Sequence, residues 1–227
     1  MMNKDVAVFF DGKADSGSIM AASAALLRAL GLGNLANEVP EVNPDSDPGD
    51  GFTFRFGFPP LTVQTAAAES LVSKTAAAPL DELPEDQQYG EPYAPSADDF
   101  QGMEHSNRPD GAYLLHLRPE GVAPETRGLT APSVRKALAS WAGTSLTALE
   151  YLVVQRVFAT AYGDHRFDYY GSAVDDTQWM WLPDSKLGDK TFMAYWNPKQ
   201  SRVELTACRT GSKNPRKGAH PTRIVAV

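Results

Sequence analysis

The chain has 227 residues, 42% of them apolar and 22% charged, with a formal net charge of −7 and one cysteine, Cys208. That is ordinary globular composition, long enough to bury a core; it excludes an intramolecular disulfide, and no apolar run is long enough to span a bilayer. A lone thiol and an N-terminus without a signal-like apolar stretch set the expectation of a soluble, cytoplasmic protein.

The first apolar run, Val6 to Phe10, ends at Asp11-Gly12 and reads as a buried strand followed by a turn. Ser16-Gly17-Ser18 then caps a helix over 19–30, with Ile19, Leu26, Leu27 and Leu30 as its apolar stripe and Gly31 as its stop. Phe52, Phe54, Phe56 and Phe58 alternate with other residue types, the two-residue period of a strand with one aromatic face, and Pro59-Pro60 ends it. The alanine-rich stretch 63–78 predicts a helix. Residues 79–110 are rich in Asp, Glu and Pro and read as a linker or long surface loop.

The second half is better patterned. Tyr113, Leu115 and Leu117 mark a strand. Thr130 and Pro132 open a helix carrying Val134, Leu138 and Trp141, with Gly143 at its end. Thr147 and Glu150 have the capping-box spacing, and the helix they open ends at Gly163. Three strands follow, over 178–182, 191–196 and 202–208, separated by the turns Pro183-Asp184-Ser185 and Asn197-Pro198-Lys199-Gln200; a fourth over 222–227 is expected to close their sheet. The fold class expected is α+β. Residues 1–78 form an N-terminal strand–helix–strand segment, 79–110 a linker, and 111–227 a two-helix domain with an antiparallel β-meander.

Charge is unevenly spread. Residues 38–110 hold fifteen acids and three bases, whereas residues 199–227 hold seven bases and one acid. A basic tail suits an anionic partner, nucleic acid included, or a tail packed near the acidic middle.

Several motifs approach known chemistry and stop short. Phe9-Phe10-Asp11-Gly12 resembles the strand-end motif of haloacid dehalogenase-type phosphatases, but the nucleophile position is Phe9, which cannot attack phosphorus. The loop 12–17 remains a candidate anion seat at a helix N-terminus. Gly31 to Ala36 fits the letters of a dinucleotide fingerprint yet follows a helix instead of a strand. Cys208 to Asn214 resembles the phosphate loop of tyrosine phosphatases, with Asn214 where the arginine belongs and Arg216 two residues late. Asp164, His165 and Arg166 form the densest polar cluster, suited to acid–base work or metal ligation if a third ligand joins them, though neighbouring side chains diverge. Trp179, Trp181 and Trp196 make the meander aromatic, and Arg209, Lys213, Arg216 and Lys217 lie close by; together they are the candidate binding surface, a stacking platform with cations, against the alternative of core packing.

Tyr113-Leu114-Leu115, then Leu146-Thr147 with Glu150, Gly171-Ser172, Trp181, and Arg202 to Leu205 running to Cys208 and Gly211, form an order of features similar to the C-terminal part of an uncharacterised bacterial family, a domain of unknown function. The resemblance implies a shared domain and brings no activity, cofactor or catalytic residue. The leading expectation is a non-enzymatic binding module with no cofactor, no metal and no membrane association, whose partner is a protein or an anionic ligand. The alternatives are a small hydrolase or transferase using Asp164, His165, Arg166 or Cys208, and nucleic-acid binding through the tail.

Overall fold

The computed structural model describes residues 4–40, 52–68, 75–76, 97–101, 104–118, 122–141, 143–163, 166–170, 173–177, 179–198, 201–211, 213, 215 and 217–227. The class is α+β, as expected.

The chain opens with a 3-10 helix, Lys4–Phe10, where the apolar run predicts a strand. Val6 and Phe9 are both fully buried and lie three residues apart, the repeat of a 3-10 turn. Helix α1, Ser16–Ala29, is capped by Asp15 instead of the serines: its carboxylate accepts from the Ser18 amide at 2.9 Å and from the Ser18 hydroxyl at 2.6 Å. The anion seat expected at this helix start is thus filled by the protein's own carboxylate, held below the usual range by the Ser18 hydrogen bonds. Gly31 follows the helix with φ of 78° and serves as its stop, and a short helix α2, Gly33–Asn37, comes next.

Strand β1, Phe54–Phe58, is buried along its whole length, so its phenylalanine face is one of two covered faces. The Gly57 N–H donates to the Ser23 hydroxyl of α1 at 2.9 Å, and a Cβ at Gly57 would lie 2.2 Å from the Met20 sulfur. Glycine therefore lets α1 close over a sheet edge. Among the described residues the alanine-rich stretch holds a short helix α3, Leu61–Ala66, and a strand β2, Thr75–Ala76, paired in parallel with β9 below; 69–74 and 77–78 lie outside them. Sheet pairing overrides alanine's helix propensity there.

The expected linker carries structure at its C-terminal end. Helix α4, Ala97–Gln101, buries Phe100 against Phe192 with ring centroids 5.9 Å apart, and β3, Glu104–His105, joins the main sheet. Elements this short give no periodic signal in the sequence. Residues 79–96 and 102–103 of that stretch lie outside the described residues.

Strand β4, Tyr113–Leu117, pairs antiparallel with β1, and one core cluster runs from Val6 to Ala207. Helix α5, Ala131–Ala139, has Thr130 as its cap and Pro132 in its first turn. Its last turn is capped by Ser140, and the Gly143 N–H donates back to Leu138. Helix α6, Ala148–Tyr162, has the expected Thr147–Glu150 capping box and ends at Gly163 with φ of 71°. A hairpin of β5, Tyr169–Tyr170, and β6, Ala173–Thr177, follows.

The meander is β7, Trp179–Leu187, β8, Lys190–Asn197, and β9, Arg202–Arg209. Pro183-Asp184-Ser185 is not the turn between strands. It is an irregularity inside β7, and the turn falls at Gly188-Asp189, where Gly188 has φ of 60°. A bulge re-aims side chains, and here it points Asp184 and Ser185 inward, both buried. Strand β10, Lys217–Gly218, pairs in parallel with β7. The last strand, β11, Thr222–Ala226, joins β4 in the three-stranded sheet β1-β4-β11, not the meander. Helix α5 covers one meander face through Ala131, Val134 and Leu138 on Trp181, Met193 and Tyr195; Phe192, Ala194 and Leu205 on the other face belong to the main core with α6.

Candidate functional site

The bulge in β7, the capping box of α6 and the loop after β3 meet in one buried ionic network. Arg108 gives both forks of its guanidinium to Glu150, Nε to Oε1 and Nη2 to Oε2, each at 2.6 Å. Its remaining donors reach the Ser145, Ser106 and Asn107 carbonyls at 2.6, 3.3 and 3.1 Å. Glu150 also accepts from the Thr147 amide at 2.8 Å and the Tyr113 hydroxyl at 2.5 Å, and Gln64 donates to Tyr113 at 2.8 Å. Burial alone would raise the Glu150 carboxyl; the facing Arg108 charge outweighs it and holds the group low. The same pair raises Arg108, against the pull of its own burial. Every donor of this arginine is used, so the pair is a bolt between α6 and the loop 106–110, with nothing left for a ligand.

Asp184 carries the network to the surface. It accepts from the Thr144 hydroxyl, from the Ser145 amide at 3.1 Å and from Asn107 at 3.3 Å, and it lies 3.5 Å from both Arg108 and Arg135. Arg135, on α5, has a side chain one-third exposed (33%); its Nη2 meets the Pro183 carbonyl and, at 3.3 Å, the Ser106 hydroxyl. Its Nε and Nη1 donate to nothing among the described residues, so the network fixes this guanidinium and leaves it open outward.

Arg135 faces a pocket of about 210 Å³ between α5 and the meander, lined also by Ala131, Pro132, Pro183, Lys186, Thr191 and Thr210. Strand register sets Lys186 beside Thr191 on the face of this pocket, whereas Lys190 and Arg209 pair on the opposite face, and the turn at Gly188 brings all four to one end of the sheet. Lys186 is half-buried with no ion pair among the described residues; Arg209 and Lys213 are exposed. Two acids share this end, Glu104 opposite Lys186 in register and Asp189 at the turn.

A second cleft, of about 460 Å³, opens where Leu61, Thr62 and Thr65 face His105 and Asp110. His105 Nδ1 lies 3.3 Å from the Ser185 hydroxyl, which already accepts from the Ala148 amide at 2.9 Å. The Ser185 oxygen keeps a second lone pair as well as its proton, so the His105 tautomer sets which of the two groups donates. Burial pushes His105 below the usual histidine range. Ser185 is fully buried and not placed to attack a substrate.

The residues expected from sequence fare unevenly. Asp164, His165 and Arg216 lie outside the described residues, and of Arg166 the backbone alone is described, in a 3-10 turn. Cys208 is half-buried with its sulfur 3.8 Å from that of Met193, on the meander face covered by α5. Trp179 and Trp181 are core residues: Trp179 packs on Tyr195 at 4.0 Å, and Trp181 donates its indole N–H to the Leu129 carbonyl at 3.1 Å. Lys217 is fully buried with its ammonium 5.2 Å from the Trp181 ring centroid. Helix α5 packs over Trp179 and Trp181, and Lys217 is buried within β10 beside them, which withdraws all three from any stacking platform. Trp196 is half-buried in a shallow cleft of about 330 Å³ with Leu30, Leu152 and Arg202. Of the expected binding set, Arg209 stands at the basic end of the meander, and Lys213 is exposed four residues further along the chain. Sequence reading missed Arg135, Lys186 and Thr191, because what unites them is register and packing. Among the described residues no three or more His, Cys, Asp or Glu are grouped to hold a metal, and no helix is long and apolar enough to cross a membrane.

Two further buried groups lie apart from these sites. Asp168, hydrogen-bonded by Tyr151 at 2.7 Å, is pushed up to about 7 by burial. His220 stacks on Phe167 with centroids 4.2 Å apart and is pushed down to about 4 by burial. No family model, no curated protein and no solved structure matches the chain.

Proposed function

We propose that the protein is a non-enzymatic binding module that takes an anionic partner at the basic end of its meander. The observation that carries this reading is the register that gathers Lys186, Lys190 and Arg209 around the β7–β8 turn, with Arg135 at the adjoining pocket and Lys213 exposed four residues after Arg209. Such a cluster concentrates positive potential on a chain whose net charge is −7, and a local field of this kind steers an anion at close range. The buried arginine of the network supports the same division, since Arg108 has no donor to offer while Arg135 does. Fluorescence anisotropy with labelled inorganic polyphosphate, a probe with charge and no bases, tests it. Binding is expected at low salt, and the double charge reversal Arg209→Glu with Lys213→Glu is expected to weaken it at least tenfold. No detectable binding, or equal binding by the double variant, would overturn the reading.

A further inference from the structure

The pocket between α5 and the meander combines three properties that fit one kind of ligand. It is small, about 210 Å³, below the range of drug-sized sites and suited to a single compact group. It has charge from two directions. Arg135 enters from α5 with Nε and Nη1 unengaged among the described residues, and Lys186 enters from β7. Two hydroxyl-bearing residues line it as well, Thr210 from the segment after β9 and Thr191 from β8.

Thr191 is the informative residue. It is fully buried, it lines this pocket, and its hydroxyl oxygen has no hydrogen-bond partner among the described residues. A buried hydroxyl left unmatched is destabilising, and valine has the same shape without that cost. A threonine at this position is accounted for if a bound group supplies the missing partner. The start of α5 is not that group's anchor. The Ala131 amide is taken by the Thr210 carbonyl at 3.2 Å, Pro132 has no N–H, and the Ser133 amide is taken by Thr130. The donors are side chains, and they come from four separate segments.

We infer that this pocket is a seat for a tetrahedral oxyanion of the phosphate type, held by Arg135 and Lys186 with Thr191 and Thr210 as hydroxyl partners. Four donors arriving from four segments match an anion with four oxygens around one centre better than a planar carboxylate with two. The inference rests on the binding reading above and narrows it: the anionic partner presents at least one such group.

The test is isothermal titration of the full chain with inorganic phosphate, phenyl phosphate and acetate, repeated for Thr191→Val and Lys186→Ala. Phosphate is expected to bind saturably, acetate at least tenfold more weakly, and both variants to lose phosphate affinity at least tenfold. Thr191→Val is expected to melt at or above the temperature of the parent protein, which separates a lost ligand contact from a lost fold. Tighter binding of phenyl phosphate than of phosphate would assign the group to an organic ester, and the reverse to the free ion. Acetate binding as well as phosphate, no phosphate binding, or Thr191→Val binding unchanged would overturn the pocket. In those cases polyphosphate binding that persists leaves the basic-end reading standing, and its absence removes both.

Discussion

Arg108 and Arg135 belong to one ionic network, share Asp184 at 3.5 Å, and do opposite things. Arg108 is sealed, and each of its donors ends on protein. Arg135 is anchored through one nitrogen and one-third exposed. The difference lies in where the backbone delivers the side chain. The loop 106–110 carries Arg108 under the start of α6, whereas α5 lies over the meander and leaves its arginine at a pocket mouth. A buried charge that consumes its partners holds the fold, and a charge held at one end only is available to a ligand.

The largest effect follows from breaking the sealed half. Glu150→Ala leaves the Arg108 guanidinium buried and unmatched and removes the capping box, and a loss of about 3–5 kcal/mol is expected in urea unfolding. A loss under about 1 kcal/mol would mean that the network is not the bolt described. By contrast Lys186→Ala is expected to change stability by less than about 0.5 kcal/mol, as surface substitutions do.

A smaller effect separates the network from the other buried titratable groups. Asp168 has its carboxyl raised from 3.8 to about 7, so the folded state holds a proton the unfolded state has lost, and this group makes stability fall as pH rises between those values. His220 is lowered from 6.5 to about 4, so the unfolded state takes up the proton first, and this group makes stability rise across pH 4 to 6.5. The two slopes oppose each other. Asp168→Asn is expected to leave a stability curve that rises more steeply from pH 4 to 6.5, and His220→Gln one that falls more steeply up to pH 7. Denaturant midpoints at half-unit pH intervals check this; parallel curves for parent and variants would contradict it.

The smallest effect lies at the open half. Glu104 stands opposite Lys186 in register, and Glu104→Gln is expected to tighten phosphate binding about two- to threefold, the scale of an exposed charge pair. Weaker binding in this variant would place the anion elsewhere.

What the sequence makes legible is local. The Thr147–Glu150 box, Thr130 with Pro132, the stops at Gly31 and Gly163, and the strand pattern of Tyr113, Leu115 and Leu117 are all set by neighbours within a few residues. What it hides is set at long range. Val6 and Phe9 read as strand until their spacing is matched to a core they must both reach. Arg108 reads as one more charge in a Pro-rich acidic stretch, because its partner is 42 residues away. Trp181 and Lys217 read as a surface platform because nothing in their order tells that α5 packs over the tryptophan or that Lys217 pairs into the sheet beside it. For the candidate pocket, Thr191 reads only as the first residue of a strand, and the packed structure alone shows that its hydroxyl is enclosed without a partner among the described residues.

The most direct test of the division between sealed and open charge is the salt dependence of polyphosphate binding. If Lys186 and Arg209 each engage the anion, the logarithm of affinity falls linearly with the logarithm of salt concentration, and the slope shrinks by about one for Lys186→Ala and again for Arg209→Ala. An affinity independent of salt, or a slope the same in parent and both variants, would contradict the account.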